Sequence, residues 1–328
     1  LSRCQAQLVL AQLRERHPSR EFVFTPIAAA GDKQPDGSLV ALGGEGIFVK
    51  ELETALVAGE IDCAVHSLKD LPTELPGGLI LAAVGRREDA RDVFIYRAEP
   101  AADQSLSRDA GGGSSTPIRR GLKPHATIRD LPRGATVATS STRRQAQLLA
   151  LRSDLKVIPM RGNVGTRLRK LAENPGLDGL VLAAAGLNRL RFFIGAGGSL
   201  SGGESGQSSA GVPSGLLASP LSTDEMLPCV GQGAIGLETR KNDDRIAVIC
   251  ERLNDVRTFQ CVVAERAFLH AMGGGCLSPV AAYAEISGEQ LRMRAVSFRE
   301  EKVRRSAASG SLNDPAVLGV RLAAELMA

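Results

Sequence analysis

Apolar positions recur in two rhythms along the chain. Phe48, Val49, Leu52, Ala55 and Leu56 are spaced as one face of a helix, and Gly59 is a natural stop. Residues 142–151, 164–173, 258–272 and 316–327 read as helices by the same spacing, and 8–13 as the end of another. Short apolar runs at 21–28, 61–66, 79–84, 92–96, 136–139, 155–159, 179–185 and 233–238 read as strands. Alternation of the two kinds predicts α/β layering. Residues 285–296 with the last helix suggest a smaller third unit. Residues 43–46 read as a turn. Two stretches break the rhythm: 101–116, rich in Ala, Ser, Gly and Asp, and 195–219, rich in Gly and Ser. Both are expected to be flexible insertions.

Composition narrows the classes. The 328 residues are 43% hydrophobic, enough for a sizeable core in a chain of two or three domains. Aromatics make up 3%, with no Trp, which argues against a stacking platform for nucleic acid. A net charge of +4 does not by itself imply such a partner. No apolar run approaches the roughly 18 residues of a membrane span. Six cysteines form no C-x-x-C pair and four histidines lack zinc-site spacing, so neither a metal nor a disulfide framework is expected. Cys63, Cys250 and Cys261 fall on apolar faces and are expected in the core. Leu1 in place of Met reads as a fragment or a processed chain, in which a targeting segment would not be visible.

Four segments could carry chemistry. Ser67, Lys69 and Asp70 follow a strand, at the edge where open α/β sheets bind ligands. Asp70 there can exchange a proton or steady a cation. The plainer alternative is a solvated turn with a helix-capping Asp. Thr139, Ser140 and Ser141 precede a helix that opens with Arg143 and Arg144. Cap hydroxyls, free N–H groups and guanidinium forks favour an anion. Arg161, Gly162, Asn163 and Arg167 repeat the arrangement at the next strand–helix junction, so a shared anion cradle outweighs two coincidences. Spacing does not choose between phosphate and carboxylate. Cys276 follows three glycines after a long helix; an accessible thiol could do covalent chemistry, or merely fit a tight turn. Gly231 to Gly236 imitates a dinucleotide fingerprint, but the order is loop then strand, and it is discounted.

Taken together, the stretches GEGIFVKELETAL, DCAVHSLKDLPTELP, REDARDVF, ATSSTRRQAQL, RGNVGTRLRKL, LAAAGLNRL, LPCVGQGAIGLE and ERAFLHAMGGGCLSPV resemble the porphobilinogen deaminase family, in family order from about Gln5 to the end. The chain starts after the family's GTR-x-S segment, and Glu45 stands where the family often has Lys. The resemblance implies an α/β fold of three domains: two lobes like those of periplasmic binding proteins, and a smaller α+β domain carrying the cofactor loop. The expected boundaries are 1–99 with 234–253, 100–233, and 254–328. It implies a transferase that joins porphobilinogen units head to tail, releasing ammonia, to give the linear tetrapyrrole hydroxymethylbilane. The chain grows on a dipyrromethane cofactor held by a thioether, here at Cys276. Asp70 matches the catalytic Asp. Lys69, Arg143, Arg144, Arg161, Arg167 and Arg189 would face the acetate and propionate groups of the pyrroles. Gln5, Lys50, Ser67, Thr139, Ser140, Ser141, Gly162, Asn163 and Gln232 match cofactor- or substrate-contacting positions, and Phe48 would pack on a pyrrole ring.

The expected partner is porphobilinogen alone, without nucleic acid or membrane, for a monomer in the cytoplasm or plastid stroma. Two rivals make different demands. A non-catalytic anion- or amino-acid-binding protein with the same lobes has no use for Cys276 in an open glycine loop. A phosphate- or nucleic-acid-binding module predicts a basic surface beyond the cleft and steep salt dependence.

Overall fold

The structure is a computed structural model that describes residues 1–28, 49–99, 121–203, 211–275 and 278–328. In chain order the elements are α1 (Ser2–Arg16), α2 (Lys50–Ala58), β1 (Ala64–Ser67), β2 (Leu79–Val84), β3 (Asp92–Arg97), β4 (Thr136–Ala138), α3 (Thr142–Leu151), β5 (Lys156–Ile158), α4 (Val164–Glu173), β6 (Gly179–Ala183), α5 (Ala184–Arg189), β7 (Phe192–Ile194), β8 (Leu200–Gly202), β9 (Leu216–Pro220), β10 (Ile235–Arg240), α6 (Asp244–Glu251), α7 (Val256–Ala271), β11 (Val280–Ser287), β12 (Gln290–Ser297), β13 (Arg304–Ser311) and α8 (Pro315–Met327). Contacts divide them into two units, residues 1–90 with 227–328, and residues 91–226.

The first unit is built on a sheet of order β1-β10-β2. β10 arrives from far along the chain and runs antiparallel to both neighbours. One face buries Val9 and Leu13 of α1 with Ala83, Leu237 and Ile249. The other buries Val84 with Leu68, Leu71 and Val262. A second sheet, the meander β11-β12-β13, packs on α7 and α8 through Phe268, Leu291, Met293 and Leu322. Glu265 of α7, fully buried, ties the two sheets together. It accepts from Arg87 Nη1 at 2.6 Å and from the Ala284 amide of β11 at 2.8 Å. It also accepts from the Gly231 amide at 2.8 Å. A buried charge is stable only when partnered this fully.

The second unit has the sheet order β5-β4-β6-β3-β9. β4 is parallel to β5 and β6, while β3 is antiparallel to β6 and β9. Side chains alternate along β3 between two cores. Val93 and Ile95 join Leu168 and Leu171 of α4, and Phe94 and Tyr96 join Leu148 of α3. The sheet is covered on both sides, as parallel strands require.

Several expectations need correction. Residues 21–28 form no strand, and 8–13, expected as the end of a helix, lies within α1, which runs on to Arg16. The run 179–185 stops as a strand at Ala183, because Ala184–Arg189 turns into a helix. Residues 285–296 belong to the β11–β12 hairpin, whose turn needs Gly288 at φ +61°. Within 195–219, Leu216–Pro220 is an edge strand paired with β3 rather than a linker. β3 itself lies in the sheet of the second unit, not with residues 1–99. The turn at 43–46, the insertion 101–116, Phe48 and Cys276 lie outside the described residues.

Candidate functional site

In the first unit, β1 delivers Ser67 to its carboxyl end, and the chain makes a single 3-10 turn, Leu68–Asp70. Leu68 and Leu71 are buried and fix the turn from below. Lys69 is half-buried and Asp70 exposed, so the carboxylate stands clear of the sheet edge. Ser67 Oγ donates to Gln5 Oε1 at 2.9 Å, which brings α1 to the same edge. The loop before β10 lies against the turn. A Cβ on Gly231, whose φ is +70°, would sit 3.3 Å from the Lys69 amide nitrogen. Gln232 is buried there, donating to the Ala90 carbonyl at 2.7 Å, while its own carbonyl accepts from Arg87 Nε at 2.8 Å. Lys50 is exposed at the start of α2.

In the second unit, β4 and β5 are parallel neighbours, so α3 and α4 both begin at one edge of the sheet. Ser141 caps α3 by accepting from the Arg144 amide at 3.4 Å. Asn163 caps α4 by accepting from the Thr166 amide at 2.8 Å. Ser140 Oγ donates to the Met160 carbonyl at 2.8 Å and accepts from the Met160 amide at 3.0 Å. That exchange clips the two junctions together. Thr139 is buried, and its hydroxyl accepts from the Ser141 amide. Gly162 has φ +115°, which an L side chain rarely adopts. Arg167 Nε donates to the Gly162 carbonyl at 2.7 Å. Arg161 is half-buried beside it, and Arg189 half-buried at the end of α5.

Arg143 and Arg144 differ from expectation. Both are buried on one carboxylate, that of Asp92 at the start of β3. Arg143 Nη2 lies 2.8 Å from Oδ2, and Arg144 Nη2 2.8 Å from Oδ1. Arg144 Nη1 also donates to the Val181 carbonyl at 3.1 Å. The three groups sum to one positive charge. Burial and the neighbouring Arg144 push the Arg167 guanidinium below its usual range. Positive charge therefore accumulates where two helix N-termini already favour an anion. Asp92, Arg87 and Glu265 escaped sequence reasoning. Asp92 stands inside the quoted stretch REDARDVF, but its partners lie about 50 residues on.

Among the described residues, no cluster of His, Cys, Asp and Glu could hold a metal ion, and no helix is long and apolar enough to cross a membrane. Cys250 and Cys261 are buried as expected. Cys63 is half-buried, its Sγ 3.9 Å from that of Cys250.

Comparison with known proteins covers nearly the whole chain. The family model described as porphobilinogen deaminase, dipyromethane cofactor binding domain, matches residues 1–248. That of the porphobilinogen deaminase C-terminal domain matches residues 259–328. A porphobilinogen deaminase of Alkaliphilus metalliredigens is 36% identical over 329 residues, covering 100% of this chain and 89% of the relative. That of Syntrophus aciditrophicus is 39% identical, covering 100% and 92%. That of Syntrophotalea carbinolica is 42% identical over 289 residues, covering 88% and 76%.

Proposed function

The chain belongs to the porphobilinogen deaminase family, and from that premise we propose how its own residues divide the reaction. The enzyme is a transferase of porphyrin biosynthesis. It condenses porphobilinogen units with loss of ammonia to hydroxymethylbilane. Its N-terminal part is a dipyrromethane-binding domain. When bound, that cofactor supplies the nucleophilic pyrrole from which the product grows.

The residues present suit an anionic oligopyrrole. The observation that carries the reading is the basic edge of β4 and β5. Two capped helices begin there, and Arg167 is held against a like charge. Arg161, Arg167 and the first amides of α3 and α4 receive acetate and propionate groups. Arg143 and Arg144, pinned on Asp92, supply a fixed positive field behind them. Arg189 extends this field, and Thr139, Ser140, Ser141, Gly162 and Asn163 line its edge; in the first unit, Lys69 is the cation next to Asp70 that would take the same kind of carboxylate. Asp70 is the catalytic carboxylate. It accepts from pyrrole N–H groups and steadies the azafulvene-like cation left when ammonia departs, which is electrostatic catalysis. Ser67, Gln5, Gln232 and Lys50 position the ring beside it, with Phe48 against the ring face. The β11–β13 sheet with α7 and α8 forms a third domain, which presents Cys276 as the thioether anchor. The enzyme works as a monomer in a reducing cytoplasm, where the Cys63 and Cys250 thiols stay unoxidised.

The test is intact mass combined with turnover. Purified protein exceeds its sequence mass by one dipyrrole, and Cys276→Ser abolishes the excess. Asp70→Asn keeps the excess but loses on the order of 100-fold in kcat. Wild-type turnover in that variant removes Asp70 from the chemistry.

A further inference from the structure

One face of α7 is turned toward the segment that carries Asp70. Val262, Arg266 and His270 stand four residues apart and share that face. Val262 is buried in one cluster with Leu68 and Leu71, the residues on either side of Lys69 and Asp70. His270 Nδ1 lies 3.7 Å from Glu74 Oε1. Between them, the Arg266 guanidinium reaches three successive carbonyls. Its Nη1 donates to that of Leu71 at 3.0 Å, and its Nη2 to those of Pro72 at 2.6 Å and Thr73 at 3.3 Å. The helix is itself held, because the neighbouring Glu265 is buried on Arg87 and on the amides of Gly231 and Ala284.

The turn needs such a tie. A 3-10 turn of three residues has poor hydrogen-bond geometry, and this one closes through the Leu71 amide on the Leu68 carbonyl at 3.2 Å. Its entry is fixed, since the Leu68 amide donates to the Ala234 carbonyl at 3.1 Å. Its exit has no such ladder. Leu71, Pro72 and Thr73 belong to no helix or strand, and Pro72 has no N–H to give. Their carbonyls must find donors from elsewhere. The planar fork of Arg lets one side chain serve several acceptors at once. Asp70 is exposed, so its direction depends on the backbone held on either side of it.

We propose that Arg266 is a positioning residue for Asp70: by gripping the three carbonyls that follow it, Arg266 fixes the exit of the turn and so the direction in which the carboxylate stands. This rests on the reading of Asp70 as the group that steadies the cation. Arg266 touches no substrate in this role. A displaced carboxylate meets the developing charge less well, while the groups that bind the substrate stay in place. The loss therefore falls on the transition state rather than on substrate binding.

The experiment is a double-mutant cycle on the holoenzyme. Wild type, Arg266→Gln, Arg266→Lys, Asp70→Asn, the double variant of Asp70→Asn with Arg266→Gln, and Arg304→Gln are assayed for porphobilinogen consumption. Each is measured well below its melting temperature, and kcat is expressed per adduct-bearing chain as counted by intact mass. Arg304 is the matched control, because its Nη1 donates to the Leu326 carbonyl near the end of α8 and so ties backbone in the same subdomain. Arg266→Gln lowers kcat on the order of tenfold with little change in KM. Arg266→Lys, which keeps the charge but not the fork, loses less. In the Asp70→Asn background Arg266→Gln costs nothing further, since both changes remove the same action. Arg304→Gln turns over like wild type even where its melting temperature drops. Wild-type kcat in Arg266→Gln overturns the proposal. An undiminished loss in the Asp70→Asn background overturns it too, by placing the effect of Arg266 elsewhere, as does equal loss in Arg304→Gln, which would mark general destabilisation. Should Arg266→Gln fail to fold, Arg266→Lys carries the same comparisons. Wild-type turnover in Asp70→Asn alone overturns the reading of Asp70 itself.

Discussion

A carboxylate at the head of β3 decides what two arginines can do. Arg143 and Arg144 stand at the N-terminus of α3, where the helix dipole repels cations. Asp92 offsets that repulsion and holds each guanidinium by a separate oxygen. Asp92→Ala would leave two buried like charges facing each other. Urea unfolding should show a loss of about 3–5 kcal/mol, the range for breaking a buried pair from one side. The arginine doublet was legible in the chain because its chemistry is local. Its partner was not, since the pairing exists only once β3 lies beside β6 and α3 covers them. A second residue sets a pH response. Burial raises the Glu53 carboxyl, the nearby Glu238 adds to this, and His66 opposes it. Folded Glu53 therefore holds its proton more tightly than the unfolded chain does. Its stabilising effect is full in acid and fades as pH climbs through the raised value. The stability of Glu53→Gln relative to wild type should move in the variant's favour between acid and neutral pH, as read from melting temperatures across a pH series.

Elements follow local signals where one face or one cap is enough. α3 and α4 keep their expected bounds because each has a polar cap and an apolar stripe. α2 ends at Gly59 in the left-handed conformation, as its sequence suggests. Elements went unread where a neighbour decides. Leu216–Pro220 looks like the tail of a Gly/Ser linker, yet it pairs along β3 because that edge needs hydrogen bonds. Packing between helices is equally non-local. Gly319 lets α8 approach α7 so closely that a Cβ would stand 2.1 Å from the Ala264 carbonyl oxygen. Gly319→Val should cost about 1–3 kcal/mol or more by overpacking, and lower the melting temperature of the β11–β13 subdomain. An unchanged melt would mean that the two helices part without penalty.

At the scale of the whole molecule, the two units differ in how the chain builds them. Residues 91–226 are contiguous and contain two cores of their own. Expressed alone, that segment should unfold cooperatively in a thermal melt. Residues 1–90 should not, because the middle strand of their sheet, β10, comes from residues 235–240. A non-cooperative melt for 91–226 would show that its cores need the rest of the chain.

By itself the sequence determined the layering, most helices, the Asp70 turn, the basic junctions and, through its motifs, the family. Those features rest on spacing, caps and short runs of residues, and neighbours in the chain supply all of that information. Tertiary structure alone decided that Arg143 and Arg144 share Asp92, that Glu265 joins two sheets through Arg87, and that Arg266 grips the carbonyls of Leu71, Pro72 and Thr73. The first two are buried charges, the third is half-buried, and each finds its partners remote along the chain. Desolvation makes such a charge costly until folding brings the partner within hydrogen-bonding reach.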